Sequence, residues 1–372
     1  MGVASRRMSA MFRTGTNIVG MSELASVPFD TRDMILIEDL HAAIIPIAPS
    51  GGQAAINAIR ADRDVAEDRP EFYLFAQQEF RDATVATWGV QAVGALASPF
   101  TGKDIKVAIL DTGIDASHPD FTGRIVDSRS FVSGETVEDL QGHGTHCAGT
   151  AIGGTRQPGV PRYGVAPEAG LCVGKVLNNA GSGAERNIIA GMNWAIDIGC
   201  EVISMSLGAP VGEGGRASLL YERAARRALD NGCLIVAAAG NESNRDFGSI
   251  SPVGSPANAP SILAVGAVDP FFKPASFSNG GINPDGGNID LVAPGTNVFS
   301  TVPVPRRYRA LNGTSMACPH VAGVAALWAE SNPALRGRAL WDILTSTARP
   351  LDGQLTRDVG AGLVQAPSGD LA

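Results

Sequence analysis

An α/β fold is what this 372-residue sequence predicts for its larger part: a three-layer, doubly wound, mostly parallel sheet with helices on both faces. Three observations carry that expectation. From about residue 101, short runs that are apolar almost throughout (IKVAIL, CEVISMSL, CLIVAAA, SILAVGAV and IDLVAP) recur along the chain. Between them lie longer stretches of helical spacing, such as ERNIIAGMNWAIDIG and ASLLYERAARRALDNG. Strands without polar alternation suit burial on both faces, and strands separated by helices suit parallel pairing. Finally, a chain of this length with 44% hydrophobic residues can bury one large core and a smaller one.

Taken in order, residues 1–32 are polar and mixed, without sustained periodicity, and are expected to form a flexible lead. Residues 33–82 read as a small α+β unit. In it DMILIEDLHAAIIPI and PEFYLF have strand character, and GGQAAINAIRADRDV has helical spacing. The polar connector AQQEFRDATVAT follows, where a domain boundary or a cleavage site is expected, and residues 83–372 make up the doubly wound domain. No repeat and no low-complexity tract interrupts this order.

Charge and cysteine usage narrow the function classes. With 29 basic and 37 acidic residues, net charge −8, and no basic cluster, the chain is not expected to bind nucleic acid. No stretch approaches a membrane span, and no apolar run of signal-peptide length follows the basic residues at the start. Cys147, Cys172, Cys200, Cys233 and Cys318 are scattered through apolar runs, which suggests buried thiols more than a disulfide framework, although one bridged pair stays open.

Sheets of this kind place their sites at the carboxyl ends of strands. Asp111 follows IKVAIL, and Asn241 follows CLIVAAAG. His143 lies in GHGTHCAG, and Ser315 lies in GTSMACPH at the start of an apolar helix. Each alone has an ordinary reading: turn former, turn asparagine, structural histidine, helix cap. The proline of GTSMACPH is expected in the first helical turn, where a missing N–H costs nothing. A helix start also favours negative charge beside the serine hydroxyl. That hydroxyl becomes a nucleophile only if a base, itself oriented by a third group, stands next to it.

The joint set D111-T-G, H143-G-T-H, A-A-G-N241 and G-T-S315-M-A-C-P-H, spread over residues 101–346, resembles the subtilisin-like serine peptidases, with features similar to proteinase K-like members. The resemblance implies a serine endopeptidase acting on protein or peptide substrates, with no cofactor for catalysis. Ser315 would be the nucleophile, His143 the base, Asp111 its orienting partner and Asn241 an oxyanion donor. Gly181, Ser182 and Gly183 with Ser206, Leu207 and Gly208 match the two edges beside which a substrate strand is added. Ala238, Ala239 and Gly240 match the wall of the first pocket, with Glu242 near its mouth. Glu185 stands where many relatives carry an aromatic lid.

Asp290, with the carbonyls of Pro260 and Ile262, resembles a structural Ca²⁺ site of some relatives. Asp120 matches a ligand of another such site, whose completing loop the sequence lacks. The front unit resembles the inhibitory propeptides of these enzymes, to be cut off between about Gln77 and Ala83. A propeptide implies secretion, the lack of a visible signal implies the cytoplasm, and localisation is left open.

Rival readings are a peptide-maturing protease or transferase with one dedicated substrate, and a noncatalytic binding scaffold. The spacing His143-x-x-His146-Cys147 does not match a zinc motif, and GTSMA is not the GxSxG elbow of the α/β-hydrolases. Cys318 reads as small packing. Its helix start is also a reason for a lowered thiol pKa, so Cys318→Ser is expected to remove thiol-reagent sensitivity, with Cys147 next in line.

Overall fold

The computed structural model describes residues 7–12, 35–37, 42–46, 57, 59–61, 65–70 and 80–369, apart from 155–157, 213 and 285. The chain divides into two compact units, Met1–Gln77 and Gln78–Ala372.

The first unit holds a four-stranded sheet of β1 (Arg7–Phe12), β2 (Ile35–Ile37), β3 (Ala42–Pro46) and β4 (Val65–Pro70), in the order β2-β3-β1-β4. This corrects the expectation for residues 1–32. Strand β1 pairs antiparallel with both β3 and β4, and so lies inside the sheet. Its partners are tens of residues away, and a six-residue run read alone carries no sign of them. Strand β4 falls where the expected helix ends, and its Pro70 is tolerated because β4 is an edge strand. Of the expected strand PEFYLF only Pro70 lies within the described residues.

The unit boundary falls after Gln77, earlier than the expected end at residue 82. Within the second unit the Phe80 amide donates to the Pro270 carbonyl, and the Phe80 ring packs edge-on against Phe272. Asp82 accepts from the Trp88 amide at 2.8 Å. Residues 80–82 are thus tied to the large unit by contacts that a polar connector does not announce.

That unit contains seven strands in the order β11-β10-β9-β8-β5-β7-β6. They are β5 (Lys106–Asp111), β6 (Ile125–Ser130), β7 (Gly170–Lys175), β8 (Val202–Met205), β9 (Leu234–Ala238), β10 (Leu263–Val268) and β11 (Leu291–Pro294). Every pairing is parallel. Alternate strand residues feed two separate cores. Val107, Val236 and Val265 face one core, shared with α2 (His143–Ile152) and α5 (Thr314–Ser331). Ala108, Ile235 and Ala264 face the other, shared with α3 (Glu185–Asp197) and α4 (Leu219–Asp230). The short α1 (Trp88–Ala92) precedes β5.

The strand order reverses at β5, which has β7 on one side and β8 on the other. A crevice opens at the carboxyl end of a strand with that neighbourhood, and Asp111 is its last residue. A hairpin of β12 (Val298–Thr301) and β13 (Tyr308–Leu311) leads directly into α5. Helix α5 is small-residue rich because it runs through the core. A Cβ on its Gly323 would come within 2.8 Å of the Ala151 carbonyl of α2.

Candidate active site

Asp111 and His143 meet across the mouth of the sheet. The imidazole Nδ1–H donates to both oxygens of Asp111, at 2.9 Å and 3.0 Å. Asp111 is buried, while the His143 side chain keeps a quarter of its surface exposed. A carboxylate can only accept here, so it fixes the tautomer with the proton on Nδ1 and the lone pair on Nε2.

A second carboxylate positions this pair. Asp139 accepts from the amides of Gly142 (2.7 Å) and Thr145 (2.9 Å) and from the hydroxyls of Thr145 and Thr112. Thr112 in turn accepts from the Gly144 amide at 2.8 Å. The start of α2, carrying His143, is thereby fastened to the residue that follows Asp111.

Ser315 is the second residue of α5. Its hydroxyl donates to the Ser206 carbonyl at 3.2 Å, and no hydrogen bond joins it to His143 among the described residues. Such contacts are often loose until substrate is bound. Helix α5 begins at Thr314, so Pro319 falls in its second turn, not in the first as the sequence suggested. The consequence is local. Pro319 has no N–H for the carbonyl four residues back, which is that of Ser315. The freed carbonyl accepts from the Ser206 hydroxyl at 2.8 Å and from the Cys147 thiol at 3.5 Å.

Asn241 follows β9 and is held by its oxygen. Oδ1 accepts from the Thr314 amide at 2.8 Å and from its hydroxyl at 3.0 Å. Nδ2 is left as a donor.

These groups border one open cavity of about 610 Å³. His143, Ser315 and Asn241 line it, as do Gly181, Ser182, Gly183, Ser206, Leu207, Gly208, Ala238 and Gly240. Of the expected wall residues only Ala239 is missing. It is fully buried, and its carbonyl accepts from the Gly254 amide and from Asn279 Nδ2 instead. The wall is completed by Gly254, Ser255 and Pro256, and Tyr221 lines another part of the cavity; the sequence pointed to none of the four.

The pattern of the subtilase family matches residues 102–362. The chain belongs to the subtilase family. Subtilisin DY of Bacillus licheniformis is 43% identical to this subtilase over 263 residues, covering 70% of this chain and 90% of that one. The subtilisin of Bacillus pumilus is 42% identical over 279 residues, covering 74% and 95%. A cold adapted subtilisin-like serine proteinase of known structure aligns with a TM-score of 0.61 at 31% identity, covering 75% of this chain and 96% of that one. The subtilase is accordingly a serine endopeptidase, and its three-layer sheet is that of its relatives.

Electrostatics in the subtilase site follow from burial and neighbours. Burial alone would depress the His143 pKa, but the Asp111 charge and then Cys147 outweigh it, and the pKa is raised well above the usual 6.5. His146 behaves oppositely: its Nε2–H lies between the carbonyls of Val298 and Arg309, and burial brings its pKa down to about 3. It therefore packs neutral. His320 likewise donates from Nδ1 to the Met316 carbonyl and is pushed down to about 4 by burial.

All five cysteines are free and buried. The expectation of a lowered Cys318 pKa is wrong, because burial raises it to about 12 and outweighs the helix start. The thiol beside the imidazole is Cys147, 3.8 Å from His143 Nδ1.

At the expected cation sites, Asp290 Oδ2 accepts from the Ala264 amide at 2.7 Å, and burial pushes its carboxyl up to about 7. Asp120 Oδ2 accepts from the hydroxyls of Tyr163 and Tyr308, while its buried Oδ1 has no partner. Two tyrosines stand at that carboxylate where the resemblance would put a cation. Lys175, which sequence reasoning passed over, is completely buried at the end of β7. Its ammonium donates to the Thr112 carbonyl and to Asn179 Oδ1, and lies 3.3 Å from Glu135.

Among the described residues, no helix is long and apolar enough to cross a membrane.

Proposed function

We propose that Asp111, His143 and Ser315 act as a catalytic triad, with Asn241 and the Ser315 amide as oxyanion donors, and that the enzyme processes its own precursor. Ser315 Oγ attacks the peptide carbonyl while His143 Nε2 takes its proton. The same proton then passes to the leaving amine as the C–N bond breaks, and water hydrolyses the acyl-enzyme by the reverse relay. Asp111 keeps the imidazole in the required tautomer and stabilises its charged form. No cofactor enters these steps.

The observation that carries this reading is the pairing of Nδ1 with both Asp111 oxygens, which leaves the Nε2 lone pair for the cavity that Ser315 and Asn241 also line. An extended substrate would bind along Gly181–Gly183 and Ser206–Gly208, with a side chain against Ala238 and Gly240. The front unit, Met1–Gln77, would be the inhibitory propeptide, cut within Gln77–Ala83. Structural Ca²⁺ at Asp290 belongs to the same reading. Its carboxylate keeps one oxygen off the Ala264 amide and joins no ion pair among the described residues, which suits a hard cation with the carbonyls of Pro260 and Ile262 as further ligands.

Intact mass followed over time, for wild type and Ser315→Ala, tests the whole scheme. Wild type alone should lose its first 77 to 83 residues and react with a fluorophosphonate. Loss of the front unit in Ser315→Ala as well would mean cleavage by another protease. Failure of wild type to react with the probe would overturn the triad.

A further inference from the structure

Two carboxylates line the cavity, and they differ in what they already hold. Glu242 Oε2 accepts from Asn279 Nδ2 at 2.6 Å, and the Glu242 amide donates to Asn279 Oδ1 at 3.0 Å. Glu185, exposed at the first position of α3, has no hydrogen-bond or ion-pair partner among the described residues. A carboxylate at that position also complements the helix dipole, and this alone would not make it a recognition group.

What distinguishes Glu185 is the wall it belongs to. Leu177 and Ile188, both buried apolar residues, line the same cavity, as does Tyr221. Tyr221 and Glu185 line this cavity together, and the Tyr221 phenol is pushed up to about 12, first by burial and then by the Glu185 charge. The exposed Gly181–Gly183 edge, which would pair with substrate, ends two residues before Glu185. The result is an apolar surface with one uncommitted negative charge at its rim. Such a surface fits a long aliphatic stem that ends in a cation.

We propose that Glu185 selects a lysine or arginine side chain in the substrate segment that lies along Gly181–Gly183. The inference rests on the endopeptidase reading above. Because the carboxylate is exposed, the preference is modest and salt-sensitive.

The test is a set of quenched fluorogenic peptides of one sequence, with arginine, norleucine or glutamate placed in turn at each of four positions on either side of the cleaved bond. At one position arginine should raise kcat/KM about fivefold over norleucine at low salt, and glutamate should lower it, as an exposed ion pair would. The arginine-to-norleucine ratio should fall to near one in Glu185→Gln and in high salt, and glutamate should become the better substrate in Glu185→Arg. Equal rates for arginine and norleucine at every position would overturn the proposal, and so would an arginine preference that survives in Glu185→Gln. The all-norleucine peptide keeps the two readings apart. If wild type cuts it and Ser315→Ala does not, the endopeptidase reading stands whatever arginine does. If Ser315→Ala cuts it as fast as wild type does, the proposed triad falls and the role of Glu185 falls with it.

Discussion

Thr314 grips Asn241 through the oxygen of its side-chain amide, with its own N–H at 2.8 Å and its hydroxyl at 3.0 Å. The backbone N–H can only donate, so the amide cannot be flipped, and Nδ2 is left as a donor on a residue that lines the cavity. Asn241→Leu should lower kcat by about 10²–10³, the range known for such a donor in a subtilisin, with little change in KM. Thr314→Val keeps the backbone donor and loses the hydroxyl, so its kcat should fall only about fivefold, one ordinary hydrogen bond. Steady-state kinetics on one peptide decides this. A rise in KM at constant kcat in Asn241→Leu would assign the amide to ground-state binding instead.

The pH dependence follows from His143. Its pKa lies well above 6.5 because Asp111 outweighs the effect of burial, and only the neutral imidazole can accept the Ser315 proton. Hence kcat/KM should rise through neutrality and level off on the alkaline side. Stability runs the other way. The charged His143–Asp111 pair contributes fully below the unfolded value near 6.5, and that contribution is lost as pH rises through the folded pKa. Asp111→Asn should shift the kcat/KM limb toward acid and lower kcat by about 10⁴. A limb that stays in place in Asp111→Asn would show that another group titrates in the profile.

The doubly wound sheet was legible because five of its strands are continuous apolar runs, a pattern that only burial on both faces explains. Strand β6 was not legible: it is the edge strand, and IVDSRS is exposed at four of its six positions. Asp111, His143, Asn241 and Ser315 could be found since each sits in a glycine-rich turn with a recognisable neighbour. Their supports could not. Asp139 and Lys175 act through contacts with Thr112, 27 and 63 residues away in sequence, and nothing local marks either one. Pro319 was visible, but its effect depends on a helix starting at Thr314, and helix ends are the least certain feature of any sequence pattern.

Thiol reagents should distinguish the two cysteines near Ser315. Cys318 is fully buried on the core side of α5, where its thiol bonds with the Ser204 hydroxyl and donates to the Val236 carbonyl. Cys147 lies within 3.8 Å of His143 and 3.5 Å of the Ser315 carbonyl. A mercurial bound at Cys147 would displace the imidazole, so inactivation should be slow, because the thiol is buried, and complete. It should persist in Cys318→Ser and vanish in Cys147→Ser. Inactivation measured over hours in the two variants checks this, and protection by Cys318→Ser would return the sensitivity to the helix start.

Gly149 shows how closely α2 must approach the hairpin that leads to Ser315. A Cβ there would lie 2.0 Å from Thr301 Oγ1 and 2.4 Å from Ser300 Oγ. Those hydroxyls are not free to move, since they donate to the carbonyls of Thr145 and His146 at 2.8 Å and 2.9 Å. Gly149→Ala therefore forces α2 and β12 apart, with a cost of about 1–3 kcal/mol or more as overpacking, and His143 shifts with its helix. Gly212 provides the control: a Cβ at that position meets nothing within 4 Å, and Gly212→Ala should change stability by less than about 0.5 kcal/mol. Thermal unfolding of both variants in a Ser315→Ala background avoids self-digestion. A lower Tm for Gly149→Ala than for Gly212→Ala is the expected result, and in the active background Gly149→Ala should lose kcat as well. Equal Tm values would mean that the hairpin yields without strain, and the close packing of α2 on β12 would then have no part in holding His143.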